Sequence, residues 1–410
     1  MGMNFRTVDG GVTAPRGYRA AGVAAGIKRE GLDVAVLVSA SPAVCAGVFT
    51  RNLVQAAPVV YSRTVVEADR PVRAVVVNSG NANACTGAEG ADDTERTAAK
   101  VASRIGVARN EVLVASTGVI GVPLPMEKVL RGVDEACLRL SDGLDAGRFA
   151  ATAIMTTDTY LKQTAVTLDV DGKPVTIGGM AKGSGMIHPD MATMLSFVTT
   201  DATIKPELLQ KLLRESAEDT YNMISVDGDT STNDMVLVLA NGQAGAPEIT
   251  ESSPSFATFR DALHNVHAHL AKQIVRDGEG ATKLVEVTVV GAKSELDARR
   301  LVKTVLTSNL VKTAFFGEDA NWGRILAAMG RSGAEFNPAH VSIAFSSDGG
   351  SIDLMREAEP LQFDEDEAKE VLQPSEIQVL ITLCDGSATA TGWGCDLSYE
   401  YVRINGDYRT

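Results

Sequence analysis

Apolar runs and amphipathic stretches alternate along the first half of the chain. Residues 33–38 and 72–77 are apolar and rich in β-branched side chains, a pattern typical of buried strands. Residues 92–105 are rich in alanine and carry charges on one side, which predicts a helix. Another short strand is predicted over 111–115. The alternation indicates a mixed α/β fold.

The centre of the chain predicts a β-hairpin followed by a helix. The hairpin covers 163–169 and 174–178, and Asp171-Gly172 supplies its turn. The helix covers 206–219, because it opens with a proline, which is favoured at the first helical position.

The second half of the chain continues with strands and helices. The predicted strands cover 195–199, 284–290, 341–345 and 377–383, and the predicted helices cover 255–275 and 295–306. The best compositional break lies over 242–255, which contains proline, serine and glycine. Because this stretch is short, we expect a surface loop there and not a hinge between independent domains.

Length and charge narrow the class of protein. A chain of 410 residues permits two or three domains of ordinary size. The net charge of −14 argues against nucleic-acid binding, which usually needs a basic patch. No stretch reaches about 18 uninterrupted apolar residues, the length needed to cross a membrane. The first residues lack the basic and apolar regions of a signal peptide. We therefore expect a cytoplasmic protein with no membrane partner.

The cysteines are spread along the chain without a Cys-x-x-Cys pair: Cys45, Cys85, Cys137, Cys384 and Cys395. An odd number of cysteines at wide spacings favours reduced thiols in a reducing compartment. We therefore expect free, buried thiols.

The segment from Gly178 to Leu195 contains the pair Ala192-Thr193 and carries the most chemical information. A threonine hydroxyl is a weak nucleophile unless a base lies beside it. Cleavage of the peptide bond before Thr193 would create an α-amine with a pKa of about 7.7–8, which could act as that base. The alternative interpretation is a glycine-rich loop that enters a buried strand.

Glycines and hydroxyl residues could complete such a site. Gly183 and Gly185 permit unusual backbone angles, so that successive amides could point at an anion or a carbonyl oxygen. Thr117 and Gly118 follow a predicted strand and could donate hydrogen bonds to a developing oxyanion. An ordinary turn after a strand would have the same sequence character.

The cluster Ile-Met-Thr-Thr-Asp-Thr over 154–159 has two interpretations. Asp158 could cap a helix by accepting backbone amides. The hydroxyl groups could instead line a polar pocket, and the sequence leaves both interpretations open.

Two patterns suggest metal sites only weakly. The segment 227–234 resembles a calcium loop, but Thr232 stands where glycine is needed and Val238 where glutamate should bind. On the predicted helix 255–275, the pair His264 and His267 shares a face, but no third ligand is evident. We expect a solvated helix face there and predict no metal site.

Taken together, these segments resemble the ornithine acetyltransferase family, also called the bifunctional glutamate N-acetyltransferases of arginine biosynthesis. The resemblance covers essentially the whole chain. It rests on separate motifs in the family's order, which are 116–121, 155–159, 180–195, 227–234, 277–283, 313–317 and 321–324. Such a series is far more specific than a single glycine-rich loop.

The resemblance implies an α/β fold of two-layer sheets flanked by helices, like that of self-processing aminopeptidases. It also implies self-cleavage between Ala192 and Thr193 into an α chain of 1–192 and a β chain of 193–410. We expect a C-terminal α/β subdomain from about residue 284. An α₂β₂ assembly of the cleaved chains is implied as well.

The resemblance further implies a role for particular residues. Thr193 would be the nucleophile, and Thr117 and Gly118 would form the oxyanion hole. The implied substrate contacts are Thr156, Lys182, Thr193, Glu279, Asn405 and Thr410. The choice of Thr156 over Thr157 depends on aligning the first threonine of that pair.

The implied reaction moves an acetyl group from N-acetylornithine to glutamate through an acetyl-threonine, without a metal or another cofactor. The alternative is a self-processing aminopeptidase or amide hydrolase of the same fold, which would pass its acyl group to water. The sequence leaves open whether acetyl-CoA is a second acetyl donor.

Overall fold

The computed structural model describes residues 4–188 and 194–407, which form a mixed α/β fold built on two β-sheets. The strands in these ranges are β1 (Phe5–Val8), β2 (Tyr18–Val23), β3 (Val34–Phe49), β4 (Val72–Asn81), β5 (Val112–Val119), β6 (Lys162–Val170), β7 (Lys173–Lys182), β8 (Leu195–Thr200), β9 (Ile224–Ser225), β10 (Met235–Ala240), β11 (Leu284–Ala292), β12 (Ser342–Ser347), β13 (Gly350–Arg356), β14 (Glu359–Pro360), β15 (Glu376–Thr382) and β16 (Ala388–Cys395). The helices are α1 (Ala57–Glu67), α2 (Gly87–Ile105), α3 (Met126–Leu138), α4 (Leu144–Ala153), α5 (Pro206–Asp219), α6 (Phe256–Arg276), α7 (Glu295–Leu306), α8 (Asn309–Phe316), α9 (Trp322–Gly330), α10 (Glu365–Leu372) and α11 (Tyr399–Asp407). No helix within these ranges is long and apolar enough to cross a bilayer.

The first sheet has the strand order β1-β6-β7-β8-β10-β3-β4-β5, and β2 also pairs with β3. β7 is antiparallel to β8, so that Lys182 lies opposite Leu195. β8 is parallel to β10, so that Leu195 also lies opposite Met235. The end of β7 and the beginnings of β8 and β10 therefore meet at one edge. The second sheet has the order β14-β13-β12-β15-β11-β16-β9.

The central strands β8 and β10 are buried on both faces, and every residue of each is buried. Leu195 and Phe197 pack into one hydrophobic cluster, whereas Val198 packs into another. The second cluster includes Leu209 of α5 and Phe259 of α6. Strands covered on both faces have continuous apolar sequences, as β10 does. Two hydrophobic clusters, one on each face, therefore fix the positions of β8 and β10.

The α/β class with helices flanking the sheets is confirmed. The predicted helices 206–219 and 295–306 have those bounds as α5 and α7. The predicted hairpin is β6–β7, whose turn residues Asp171 and Gly172 both have positive φ angles, 50° and 80°. β5 extends further than predicted, so that Thr117 and Gly118 lie in the strand and not after it.

Two expectations about side-chain burial were wrong. All the cysteines are free, but Cys85 and Cys384 are exposed and not buried. His267 is fully buried instead of lying on a solvated helix face. Its Nδ1 lies 2.8 Å from Ser216 Oγ, and burial lowers its pKa to about 3. His267 is therefore part of the core, whereas His264 on the same face is half-buried.

Candidate active site

A cavity of about 350 Å³ opens at the edge where β7 ends and β8 and β10 begin. Six of the predicted site residues line it, namely Thr117, Gly118, Thr156, Lys182, Glu279 and Asn405. Met194 and Leu195 also line this cavity. The other predicted residues, Ala192, Thr193 and Thr410, lie outside the residues that the structure describes.

The end of β5 presents Thr117 and Gly118 to the cavity. Gly118 has a φ of 132°, and a Cβ there would lie 2.3 Å from the carbonyl carbon of Gly80 in β4. Only glycine fits so close to a neighbouring strand. Lys182 Nζ donates a hydrogen bond to Thr117 Oγ1 at 3.4 Å. A hydroxyl that accepts one hydrogen bond can still donate its own proton to a second partner.

A fully buried lysine lies behind this cavity. Lys162 Nζ donates to Asp158 Oδ1 at 2.7 Å and to Asp277 Oδ2 at 2.5 Å. The side chains of Lys162 and Asp158 have no solvent exposure, and that of Asp277 has 2%. A buried charge needs such partners, because an unpaired one is strongly destabilising. The triad therefore fixes the segment after α4 against the end of α6.

Asp158 also binds the backbone of two segments that border the cavity. Its Oδ2 accepts the amide of Thr156 at 2.9 Å, and its Oδ1 accepts the amide of Gly183 at 2.8 Å. Burial alone would raise the pKa of Asp158, but the charges of Lys182 and Lys162 outweigh it and hold that pKa well below its usual range. Both interpretations of the 154–159 cluster thus hold in part. Asp158 binds a backbone amide, although no helix begins there, and Thr156 lines the cavity.

Glu279 contributes a carboxylate that Asn405 holds and that lies close to the backbone of Gly185. Its amide donates to the carbonyl of Ser184 at 3.0 Å, and its Oε2 accepts from Asn405 Nδ2 at 2.7 Å. A Cβ on Gly185 would lie 2.3 Å from the Glu279 carboxylate. Gly185 is therefore required for this close approach and not, as expected, for an unusual backbone angle.

Asp227 is a site residue that the sequence did not identify. Its carboxylate accepts the amides of Met186 at 2.6 Å and Ile187 at 2.9 Å, and the hydroxyl of Tyr401 donates to it at 3.3 Å. Burial raises the pKa of Asp227 above its usual range, against the opposing effect of its amide donors. The segment 227–234, which resembles a calcium loop, therefore binds the backbone of Met186 and Ile187 through Asp227.

Asp234 was missed as well, and it differs from the other buried carboxyl groups. The neighbouring Asn233 Nδ2 donates to the carbonyl of Ser116 at 2.8 Å, which ties this loop to β5. Asp234 lines the cavity but is only 3% exposed, and its Oδ2 has no hydrogen-bond partner within the described ranges. Burial raises the pKa of Asp234 well above its usual range, against a hydrogen bond from Ser231 and the charge of Lys182.

The described lining of the cavity is acidic. Lys182 is its one cation, whereas the carboxyl groups are those of Asp227, Asp229, Asp234 and Glu279. Within 4–188 and 194–407, no group of three or more His, Cys, Asp or Glu residues is arranged to hold a metal ion. The lining therefore combines hydroxyl groups, one ammonium group and several carboxyl groups.

Comparison with known proteins identifies the family. The ArgJ family model matches residues 19–410. The arginine biosynthesis bifunctional protein ArgJ of Symbiobacterium thermophilum is 55% identical over 404 residues, which are 98% of this chain and 99% of that protein. The protein of the same name from Caldanaerobacter subterraneus is 52% identical over 403 residues, again 98% of this chain and 99% of that protein.

A solved structure of ornithine acetyltransferase complexed with ornithine, from Mycobacterium tuberculosis, is 48% identical. It covers 46% of this chain and 100% of that chain, with a TM-score of 0.44. The family match and the two full-length relatives decide the assignment. This chain belongs to the ArgJ family.

Proposed function

We propose that this chain is a self-processing N-acetyltransferase that moves the acetyl group of N-acetylornithine to glutamate through an acetyl ester on Thr193. As an ArgJ family member, the chain is an enzyme of arginine biosynthesis. The observation that carries the finer proposal is the convergence of the Thr117 hydroxyl, Lys182 and Glu279 on one cavity. Met194, the residue after the predicted nucleophile, lines the same cavity.

In this proposal, self-cleavage begins with attack of Thr193 Oγ on the carbonyl carbon of Ala192. The C–N bond breaks, and the nitrogen takes up the hydroxyl proton as the acyl group moves to oxygen. Water then hydrolyses the ester, which releases the carboxylate of Ala192 and leaves Thr193 with a free hydroxyl and a free α-amine. The Thr117 hydroxyl and the Gly118 amide are the candidate donors to the oxyanion, and one such donor contributes about two to three powers of ten in rate.

The freed threonine then carries the acetyl group. Its α-amine, with an unperturbed pKa of about 7.7–8, accepts the hydroxyl proton as Oγ attacks the acetyl carbonyl of N-acetylornithine. The C–N bond breaks, the proton passes to the leaving amine, and ornithine departs. The amine of glutamate attacks the acetyl ester, its proton passes through the Thr193 α-amine to Oγ as the C–O bond breaks, and N-acetylglutamate leaves with Thr193 restored.

The charges of the cavity suit amino-acid substrates. Lys182 can pair with a substrate α-carboxylate, and its hydrogen bond to Thr117 would bring that carboxylate beside the proposed oxyanion hole. Glu279, held by Asn405, suits either a cationic group of the substrate or the α-amine of Thr193. Asn405, Thr156 and Thr410 complete the proposed substrate contacts.

Two further features belong to the proposal. The cleaved α and β chains would assemble as α₂β₂. Acetyl-CoA would be a second donor if it also acetylates Thr193, which would make the enzyme bifunctional. Offering N-acetylornithine and acetyl-CoA separately to the enzyme with glutamate measures whether both donors are used.

The nucleophile is tested with Thr193→Ala, and Thr193→Ser is the matched control that keeps a hydroxyl. Denaturing mass spectrometry of the wild-type protein should give two fragments, 1–192 and 193–410. Thr193→Ala should remain one inactive chain, because it has neither attacking oxygen nor ester, whereas Thr193→Ser should still cleave. Initial rates of the wild-type enzyme should give parallel double-reciprocal lines, as two half-reactions at one nucleophile require. An intact wild-type chain with full activity would contradict the proposal.

A further inference from the structure

Asp227 holds the backbone a few residues before the proposed cleavage point. Its Oδ2 accepts the amide of Met186 at 2.6 Å, and its Oδ1 accepts the amides of Ile187 at 2.9 Å and Asp229 at 3.2 Å. Met186 has a φ of 54°, a left-handed conformation that a residue with a side chain rarely keeps without support from its surroundings. The shape of this turn therefore depends on the Asp227 carboxylate.

More contacts join residues 186–188 to residues 225–230. The amide of Val226 donates to the carbonyl of Ile187 at 2.7 Å, and the Thr230 hydroxyl donates to the carbonyl of His188 at 2.8 Å. His188 Nδ1 also lies 3.2 Å from Ser225 Oγ. The two segments therefore run side by side, joined through main chain and side chains.

Residues 225–235 also contact the chain after the proposed cleavage point. Met235, which opens β10, donates its amide to the carbonyl of Met194 at 3.1 Å. From Leu195 onward, β8 pairs with β10 in parallel register. His188 and Met194 are the described residues nearest to the proposed cleavage point on its two sides. Residues 225–235 therefore contact both flanks.

We propose that Asp227 is a positioning residue for self-cleavage between Ala192 and Thr193, clamping the upstream flank while Met235 fixes the downstream flank. This inference rests on the proposed self-cleavage. The attacking oxygen and the carbonyl carbon must lie about 3–3.5 Å apart to react, and a displacement of about 1 Å can cost about 100-fold in rate. A turn held by one carboxylate on one side and by a strand on the other supplies that constraint.

The clamp is tested in the full-length chain with Asp227→Asn. The variant is made by cell-free synthesis and quenched in denaturant at intervals, and gels measure the fraction of uncleaved chain. An asparagine presents only one acceptor oxygen and turns an NH₂ group toward the second amide. Because the left-handed turn is then released, cleavage should slow by about 100-fold.

Asp201→Asn is the matched control. Asp201 is a buried carboxylate that, like Asp227, accepts backbone amides through both oxygens, those of Arg16 at 3.0 Å and Thr176 at 2.7 Å. It lies just after the opposite end of β8, away from the cleavage point. Asp201→Asn should lower the melting temperature by a similar amount and still cleave at the wild-type rate. A cleavage defect confined to Asp227→Asn separates positioning from general stability.

Thr230→Val is a second variant that keeps the test decisive if Asp227→Asn fails to fold. It removes the hydrogen bond to His188 at nearly constant volume, and cleavage should slow about fivefold, the effect of one hydrogen bond. A wild-type cleavage rate in Asp227→Asn, or in Thr230→Val if Asp227→Asn does not fold, would overturn the clamp and leave self-cleavage standing. A wild-type chain that is active without being cleaved would overturn both.

Discussion

Two buried carboxyl groups beside the cavity, Asp158 and Asp234, have opposite pKa shifts. Donors reach both oxygens of Asp158, and its pKa is lowered. Asp234 has one oxygen without a partner in the described structure, and its pKa is raised. Both groups are buried and the Lys182 charge lowers the pKa of both, but only Asp158 also has the charge and the hydrogen bond of Lys162. What differs is the supply of donors, above all the buried ammonium of Lys162.

The largest effect is expected from removing that ammonium group. Lys162→Met should lower the free energy of unfolding by about 3–5 kcal/mol, because the two aspartates of the triad would face each other without a cation. Denaturant unfolding measures this change. Lys211→Met is the control, since Lys211 pairs with Glu251 at the exposed surface, where the side chains are 54% and 60% exposed. Equal losses of unfolding free energy in both variants would show that the buried ion pairs of Lys162 stabilise the protein no more than the exposed pair of Lys211.

The second effect is a pH dependence from Asp158. A carboxyl group whose pKa is lowered by folding stabilises the protein above its unfolded pKa, about 3.9, and this stabilisation is lost as the pH falls toward the folded pKa. Asp158→Asn should therefore cost about 3 kcal/mol near neutral pH and progressively less in acid. Urea unfolding of both proteins between about pH 2 and 7 tests this window. A cost that does not shrink in acid would show that the charge of Asp158 is not what matters.

The smallest effect is expected at Asp234, and its sign is opposite. A raised pKa gives stabilisation that is present below about pH 3.9 and is lost as the pH rises through the folded pKa. Asp234→Asn cannot ionise, so it should lie within about 1 kcal/mol of the wild type in acid and gain relative stability as the pH rises. The same urea titration measures it. If the variant instead loses stability relative to the wild type as the pH rises, folding lowers the pKa of Asp234, as it does that of Asp158.

Local patterns were sufficient for many elements of the fold. α5 and α7 have their predicted bounds, and the proline that opens α5 is a signal within the element itself. The site residues Thr117, Lys182 and Glu279 come from distant segments and line one cavity. Their grouping was available from the sequence only through the family resemblance.

Asp227 was not identified and His267 was misinterpreted for a common physical reason. The amide that Asp227 binds on Met186 is 41 residues away, and the Ser216 hydroxyl beside His267 is 51 residues away. Acidic residues at short spacing look the same whether they face a cation or backbone amides. Only the fold brings the partner that decides between these roles. The unpartnered oxygen of Asp234 likewise has no signal in its neighbouring residues.

The pairing of β7 with β8 has a consequence for how the molecule comes apart. These strands flank the proposed cut and are hydrogen-bonded along Ile177–Lys182 and Leu195–Thr200. If the bond between them is severed, the two polypeptides still share one sheet, so melting that sheet also dissociates them. The melting temperature of severed protein would then depend more steeply on its concentration than that of an unsevered chain.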